Sequence, residues 1–278
     1  MKRKTKIDIF RLTGTLIIAA IVLFPLYWMI VTSVLPSSKV LSLNPPLIPA
    51  FKDMGIRSYI DVFTRRPILT WFFNSMLVTI GSAGFSILVS ITAGYSLSRY
   101  HTAGQQAMGY FLLLSRMLPG SLIVIPMYII FIKLKMINGF GALILANVSA
   151  ITPFSTWMMK GFYDAIPREM EEAAMIDGCS WFGTLRRIVL PLTLPGLAAV
   201  TIYAAILSWN EYLFARTLVY DPNKWIFTVG IASFVGEHST DWSSLMAAGV
   251  IFIIPIIILF FFLEPYLVSG LTSGSVKD

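Results

Sequence analysis

The chain has 278 residues, 56% of them hydrophobic and 13% charged, with a net charge of +7 and a mean hydropathy of +0.77. Soluble domains carry roughly 25% charged residues, which excludes a water-soluble fold. The 21 basic residues flank apolar runs and form no aromatic-interleaved patch, which excludes a nucleic-acid surface. With one cysteine, Cys179, and two histidines, His101 and His238, neither an internal disulfide nor a zinc cluster is expected.

Six apolar runs exceed the about 18 residues needed to cross a hydrocarbon core. They occupy 12–35, 71–97, 109–132, 140–159, 190–214 and 245–268. Stretches such as "GVIFIIPIIILFFFL" satisfy their backbone groups in lipid only as helices, and the period-two alternation of a membrane barrel is absent. The expectation is an all-α polytopic membrane protein of about six transmembrane helices, forming one domain over 1–278. The first run follows "MKRKTKIDIFR", with five Lys or Arg in eleven residues and no small-residue cleavage site. By the positive-inside rule both termini are then cytoplasmic, as is the segment at about 160–190. Beyond the first span, "NPPLIP" reads as an extended segment.

The segment at 160–190 is a polar island. Pro167 suits a first helical turn, Glu169, Glu171 and Glu172 suit the positive end of a helix dipole, and Gly178 suits a left-handed exit. One short helix over about 167–177 is predicted. Ser180 caps a second, whose last turn holds Arg186 and Arg187 before Leu190 and Pro191 open the fifth span. On the first helix Met170, Ala173, Ala174 and Asp177 recur at i, i+3, i+4 and i+7, so the two alanines offer a shallow patch to another protein. An amphipathic helix resting on lipid headgroups is the other reading of the same pattern.

Ionisable residues inside spans are candidates for a substrate path, because a charge in lipid must pair or face water. Arg116 lies in the third run, Glu211 beside Asn210 in the fifth, and Glu264 in the sixth. Glu264, near a span end and followed by Pro265, reads as an interfacial carboxylate. Arg116 and Glu211 either bind each other and lock helices or line a cavity. Asn210 and Trp209 could offer an amide and a flat face to sugar hydroxyls and rings. The outer segment "RTLVYDPNKWIFTVGIASFVGEHSTDWSS" holds Trp225, Phe227, Phe234 and Trp242, more aromatics than a solvated loop needs.

The island fits Glu-Ala-Ala, three residues, Gly, nine residues, Ile-x-Leu-Pro at Glu172, Ala173, Ala174, Gly178, Ile188, Leu190 and Pro191. This resembles the EAA loop of binding-protein-dependent ABC importer permeases. The stretches "FFNSMLVTIGSA", "AGYSLSRY", "IPMYIIFIKLKMINGFGALIL" and "SWNEYLFA" are similar to the carbohydrate branch, specifically the smaller permease subunit of maltose-type importers. The tail "GLTSGSVKD" is similar to that family's ending, with Ser275 in place of alanine and Asp278 in place of glycine.

The resemblance implies the type I importer permease fold in the bacterial cytoplasmic membrane, with the island as a two-helix coupling loop in a cleft of a cytoplasmic ATPase. The coupling residues it implies are Glu172, Ala173, Ala174, Asp177, Gly178, Arg186 and Arg187, with Gly274, Val276 and Lys277 as tail contacts. It implies a second homologous permease, two copies of an ABC ATPase that bind ATP and Mg, and an extracytoplasmic sugar-binding protein toward which the last outer loop reaches. Arg116, Trp209, Asn210 and Glu211 are the path candidates, and the resemblance leaves open that the partner permease holds most sugar contacts. The chain itself contains no Gly-x-x-x-x-Gly-Lys-[Ser/Thr], no Gly-x-Ser-x-Gly and no His-Glu-x-x-His. It is therefore read as a transport subunit that binds no cofactor or metal and is not an enzyme. An importer permease for a non-sugar solute shares the EAA signature, while an ion-coupled secondary transporter needs internal repeats that are not visible.

Overall fold

The computed structural model describes residues 2–236 and 240–273. Its main helices are α1 (Lys2–Val34), α2 (Arg57–Arg65), α3 (Ile68–Arg99), α4 (Ala103–Ser115), α5 (Gly120–Lys133), α6 (Phe140–Asp164), α7 (Glu169–Ile176), α8 (Trp181–Leu192), α9 (Leu194–Trp209), α10 (Leu213–Leu218), α11 (Phe227–Ala232) and α12 (Trp242–Ser273). Among the described residues the β content is a single isolated bridge, Val235 to Thr240. This is an all-α polytopic membrane protein.

Four of the six expected runs fall within unbroken helices long and apolar enough to cross a bilayer: α1, α3, α6 and α12. The other two are broken. The run at 109–132 begins earlier, at Ala103, where Thr102 and Gln105 form a reciprocal capping box. It then bends by 105° between α4 and α5. Pro119 is the physical reason: it has no N–H to donate, and its ring drives the preceding residue out of the helical region. The run at 190–214 also differs from expectation. Leu190 and Pro191 complete α8, the chain bends by 82° at Thr193, and the fifth crossing runs only from Leu194 to Trp209.

The chain divides into two compact units, one of Met1–Leu69 with Gly230–Ile254, the other of Thr70–Val229 with Pro255–Asp278. In the first, the Tyr27 hydroxyl donates to the Leu47 carbonyl at 2.7 Å and fixes the extended segment after α1. Ser33 Oγ and Tyr59 Oη lie 2.8 Å apart, linking α1 to α2. Asp241 accepts from the N3 amide and hydroxyl, both of Ser244, at the start of α12, and from Ser37 Oγ at 2.8 Å.

The second unit contains the island. Its helices approach through small residues, as membrane helices do when no hydrophobic drive separates lipid from protein. Ser82, Ser86 and Ser90 are buried along α3. A Cβ at Gly94 would lie 2.8 Å from the Met159 Cβ and 3.0 Å from the Thr156 carbonyl, so α3 and α6 are nearly in backbone contact there. Gly196 of α9 sits against the Phe162 ring in the same way. One apolar core joins Val78, Phe131, Leu143, Phe214, Leu218 and Ile226, and another joins Tyr95, Met159, Tyr163, Leu185, Val189 and Val200.

Candidate coupling site

The island folds as its local chemistry requires. Three acids occupy the first turn of α7, where the unpaired N–H groups favour negative charge. The helix ends in a Schellman arrangement, with Gly178 N donating to the Met175 carbonyl and Cys179 N to the Ala174 carbonyl, both at 3.0 Å. Gly178 has φ +88°, a left-handed conformation that side chains resist. Ser180 then caps α8, its Oγ accepting from Gly183 N at 3.2 Å. Within α8, Leu185–Val189 is a π-helical stretch. Arg186 and Arg187 therefore lie mid-helix, not in a last turn as the sequence suggests, because α8 continues to Leu192.

One face of the island is fastened to its own unit. Glu171 is 5% exposed; its Oε1 accepts from Arg99 Nε at 2.6 Å and its Oε2 from the Tyr95 hydroxyl. The Arg99 Nη2 pairs with the same Oε1 and also reaches the Ile166 carbonyl at 3.3 Å. Both Arg99 nitrogens converge on that one oxygen, and such charge-assisted bonds are roughly twice as strong as neutral ones. Arg99 Nη1 donates to Ser98 Oγ, which donates to Asp164, itself paired with Lys160. Arg168 closes the set by donating to the Ser98 and Arg99 carbonyls. Tyr95 also packs edge-on to Trp181 of α8 at 5.2 Å between ring centroids.

The other face is open. Glu172, Ala173, Asp177, Gly178, Arg186 and Arg187 are exposed. Ala174 is not: at 8% exposure it turns into its own chain, so the two alanines do not form one patch. Successive helical residues are about 100° apart, and α7 presents Met170, Ala173 and Ile176 outward instead. Ile176 is 86% exposed and Phe182 61%. Sequence reasoning missed Tyr95, Arg99 and Glu171, because their pairing spans 72 residues. The one available signal was the doubled acid "EE" ahead of the alanines.

The mid-membrane candidates do not converge. Arg116 caps α4 at the bend and donates to the Ala150 carbonyl at 2.9 Å and the Tyr203 hydroxyl at 2.7 Å, with its guanidinium 5.9 Å from the Phe154 ring centroid and 6.0 Å from that of Tyr203. It does not bind Glu211. That carboxylate instead accepts from Phe214 N at 2.6 Å and Ala215 N at 2.9 Å, capping α10. Trp209 is 1% exposed, with its ring against Phe72 at 5.9 Å, so its face is closed to a sugar. Asn210 is exposed, with its amide on the Ile206 carbonyl. Glu264 is exposed within α12.

The aromatics of the last outer segment are likewise accounted for by packing. Phe227 and Phe234 are buried, Trp225 packs on the core beside Ile226, and Trp242 alone of the four stays exposed. Gly274, Val276, Lys277 and His238 lie outside the described residues.

Residues 86–273 match the family model described as "Binding-protein-dependent transport system inner membrane component". The chain belongs to that family. This permease is 32% identical over 254 residues to the diacetylchitobiose uptake system permease protein DasC of Streptomyces coelicolor, covering 91% of each chain. It is 32% identical over 280 residues to the arabinooligosaccharides transport system permease protein AraQ of Halalkalibacterium halodurans, covering 100% of each. It is 33% identical to the maltodextrin transport system permease protein MdxG of Bacillus subtilis over 217 residues, 78% of each. Its fold is similar to that of a chain in the crystal structure of a bacterial ABC transporter involved in the import of the acidic polysaccharide alginate, with a TM-score of 0.79, 21% identity, and coverage of 96% of this chain and 98% of that one. The permease is thus a membrane-embedded transport component of an ABC importer.

Proposed function

We propose that this permease moves a sugar or oligosaccharide, handed over by an extracytoplasmic binding protein, by alternating access driven by a separate cytoplasmic ATPase. The open face of α7 and α8 is the docking surface, with Glu172, Ala173, Asp177, Gly178, Arg186 and Arg187 around the apolar contacts Met170, Ile176 and Phe182. Ala174 acts from behind, setting the depth at which α7 lies. The observation that carries this reading is the exposure of Ile176 and Phe182 on helices whose opposite face is tied by Glu171. Exposed apolar groups on an otherwise fastened element mark a protein contact. On this face Glu172 and Asp177 offset Arg186 and Arg187, so it lacks the basic excess that draws a helix onto anionic headgroups.

The complex has a second homologous permease and two ATPase copies that hold ATP and Mg, and both termini of this chain are cytoplasmic. The names of the relatives, three of which are uptake or transport permeases for oligosaccharides, support a carbohydrate cargo. Arg116 and Asn210 are the path residues that keep exposed polar groups; Glu211 is a helix cap.

Affinity purification of the tagged chain from its membranes tests the reading. It brings down an ATP-binding subunit and a second permease, and the chain alone hydrolyses no ATP. Ala173→Trp loses the ATPase from the complex. Transport by the isolated chain in liposomes down an ion gradient would overturn the assignment. Binding of neutral against uronic oligosaccharides to the soluble receptor then defines the cargo.

A further inference from the structure

We propose that Glu171 is a positioning residue that makes α3 a stiff tie between the coupling helix and the chain segment 221–227 at the opposite end of that helix. The proposal rests on the docking reading above, and three observations carry it.

The first is the grip at one end. Glu171 and Arg99 side chains are 6% and 10% exposed, and the carboxylate is held by two nitrogens of Arg99 and the hydroxyl of Tyr95. A displacement of α7 cannot leave the end of α3 behind without separating a buried charged pair, which is costly in a dry site.

The second is the grip at the other end. Asn74 Nδ2 donates to the Asn223 carbonyl at 3.0 Å and the Trp225 carbonyl at 2.9 Å, and Phe227 N donates to Ser75 Oγ at 2.7 Å. These bonds join two adjacent residues of α3 to the backbone of 223–227.

The third is the helix between them. From Asn74 to Arg99 the rise is about 38 Å at 1.5 Å per residue, and α3 contains no proline. Every other described crossing segment carries one: Pro25 in α1, Pro119 and Pro126 around α4 and α5, Pro153 in α6, Pro191 and Pro195 around α8 and α9, Pro255 and Pro265 in α12. Sharp kinks arise at proline, at Gly/Ser pairs and at π-bulges; α3 has Gly81 beside Ser82 yet runs as one unbroken helix over Ile68–Arg99, so it is the element suited to carry a push along its length without folding.

Hydrogen exchange on the whole complex, purified with its ATPase subunits in nanodiscs and trapped with ATP, Mg and vanadate, tests the tie. In the unaltered complex, trapping changes deuterium uptake at 169–176 and at 221–227. Glu171→Gln keeps the ATPase bound and the response at 169–176, and loses the response at 221–227. Asn74→Ala gives the same loss, and the pair of substitutions is no worse than either one, whereas independent sites would add. Glu171→Arg with Arg99→Glu restores the response. A wild-type response at 221–227 in Glu171→Gln, or additive losses in the double variant, overturns the proposal. Ala173→Trp reads the docking assignment separately: if it retains the ATPase, that assignment fails, while the Glu171 and Asn74 variants still decide the tie.

Discussion

Two carboxylates of one unit, Glu171 in the polar island and Glu211 in the fifth apolar run, are satisfied in opposite ways. Glu171 is held by side chains of a helix 72 residues away in sequence, while Glu211 is held by the backbone amides three and four residues ahead of it. A carboxylate bound by distant side chains joins elements; one bound by its own next turn only starts a helix. The surroundings follow the same division. Around Glu171 the island keeps Ile176 and Phe182 exposed, whereas beyond Glu211 the chain turns Phe214, Phe227 and Phe234 inward.

This contrast breaks first at Arg99. Arg99→Leu strands a buried carboxylate and lowers stability in detergent by about 3–5 kcal/mol. Arg99→Leu with Glu171→Leu recovers most of that loss in thermal melts, because no charge is then left unpaired. Equal melting of the single and double variants would remove the inner half of the comparison. Next comes Glu211→Ala, which leaves two amides of α10 without their acceptor and costs about 1–2 kcal/mol. Glu211→Gln recovers part of it, and no substitution of a second charged residue does, since its partners are main chain.

A third carboxylate, in the other unit, gives the smallest effect and combines the two types, capping α12 through Ser244 and accepting from the distant Ser37. Partial loss of solvent pushes Asp241 up, but bonds from Ser244, Ser37 and Ser243 outweigh it and hold the group below the ordinary carboxylate value. A depressed carboxylate stabilises the fold above its unfolded pKa of about 3.9, and that stability is lost as pH falls through the lower folded value. Asp241 is exposed, so the contribution is under about 1 kcal/mol. The melting temperature should therefore fall below about pH 4 and do so less in Asp241→Asn; identical acid profiles would show that the cap is not ionised in the way described.

What the sequence displayed was mostly local. The Gly178 exit, the Ser180 cap and four unbroken crossings are set by neighbours in the chain, and were legible for that reason. Pro119 was visible too, but a continuous apolar run hid its effect, since hydropathy is blind to backbone geometry. The choice between Glu171 and Glu172 was not legible at all. Adjacent on a helix, they point about 100° apart, and only the position of Arg99 decides which is buried. Counting aromatics in the last outer segment misled for the same reason: burial depends on partners such as Ser75 and Val78, which are far off in sequence.

The π-helical stretch Leu185–Val189 has a consequence for register. Such a stretch spends one residue more per circuit than the α-helix around it, so α8 carries a surplus residue between the Gly178 elbow and the bend at Thr193. Because the wider turn absorbs the extra residue, removing one there would let α8 regularise as an α-helix while the residues on either side keep nearly the same facing. The facing of the exposed Phe182 ring is thus buffered against a one-residue deletion at this stretch, whereas the same deletion in a regular turn would swing it by about 100°.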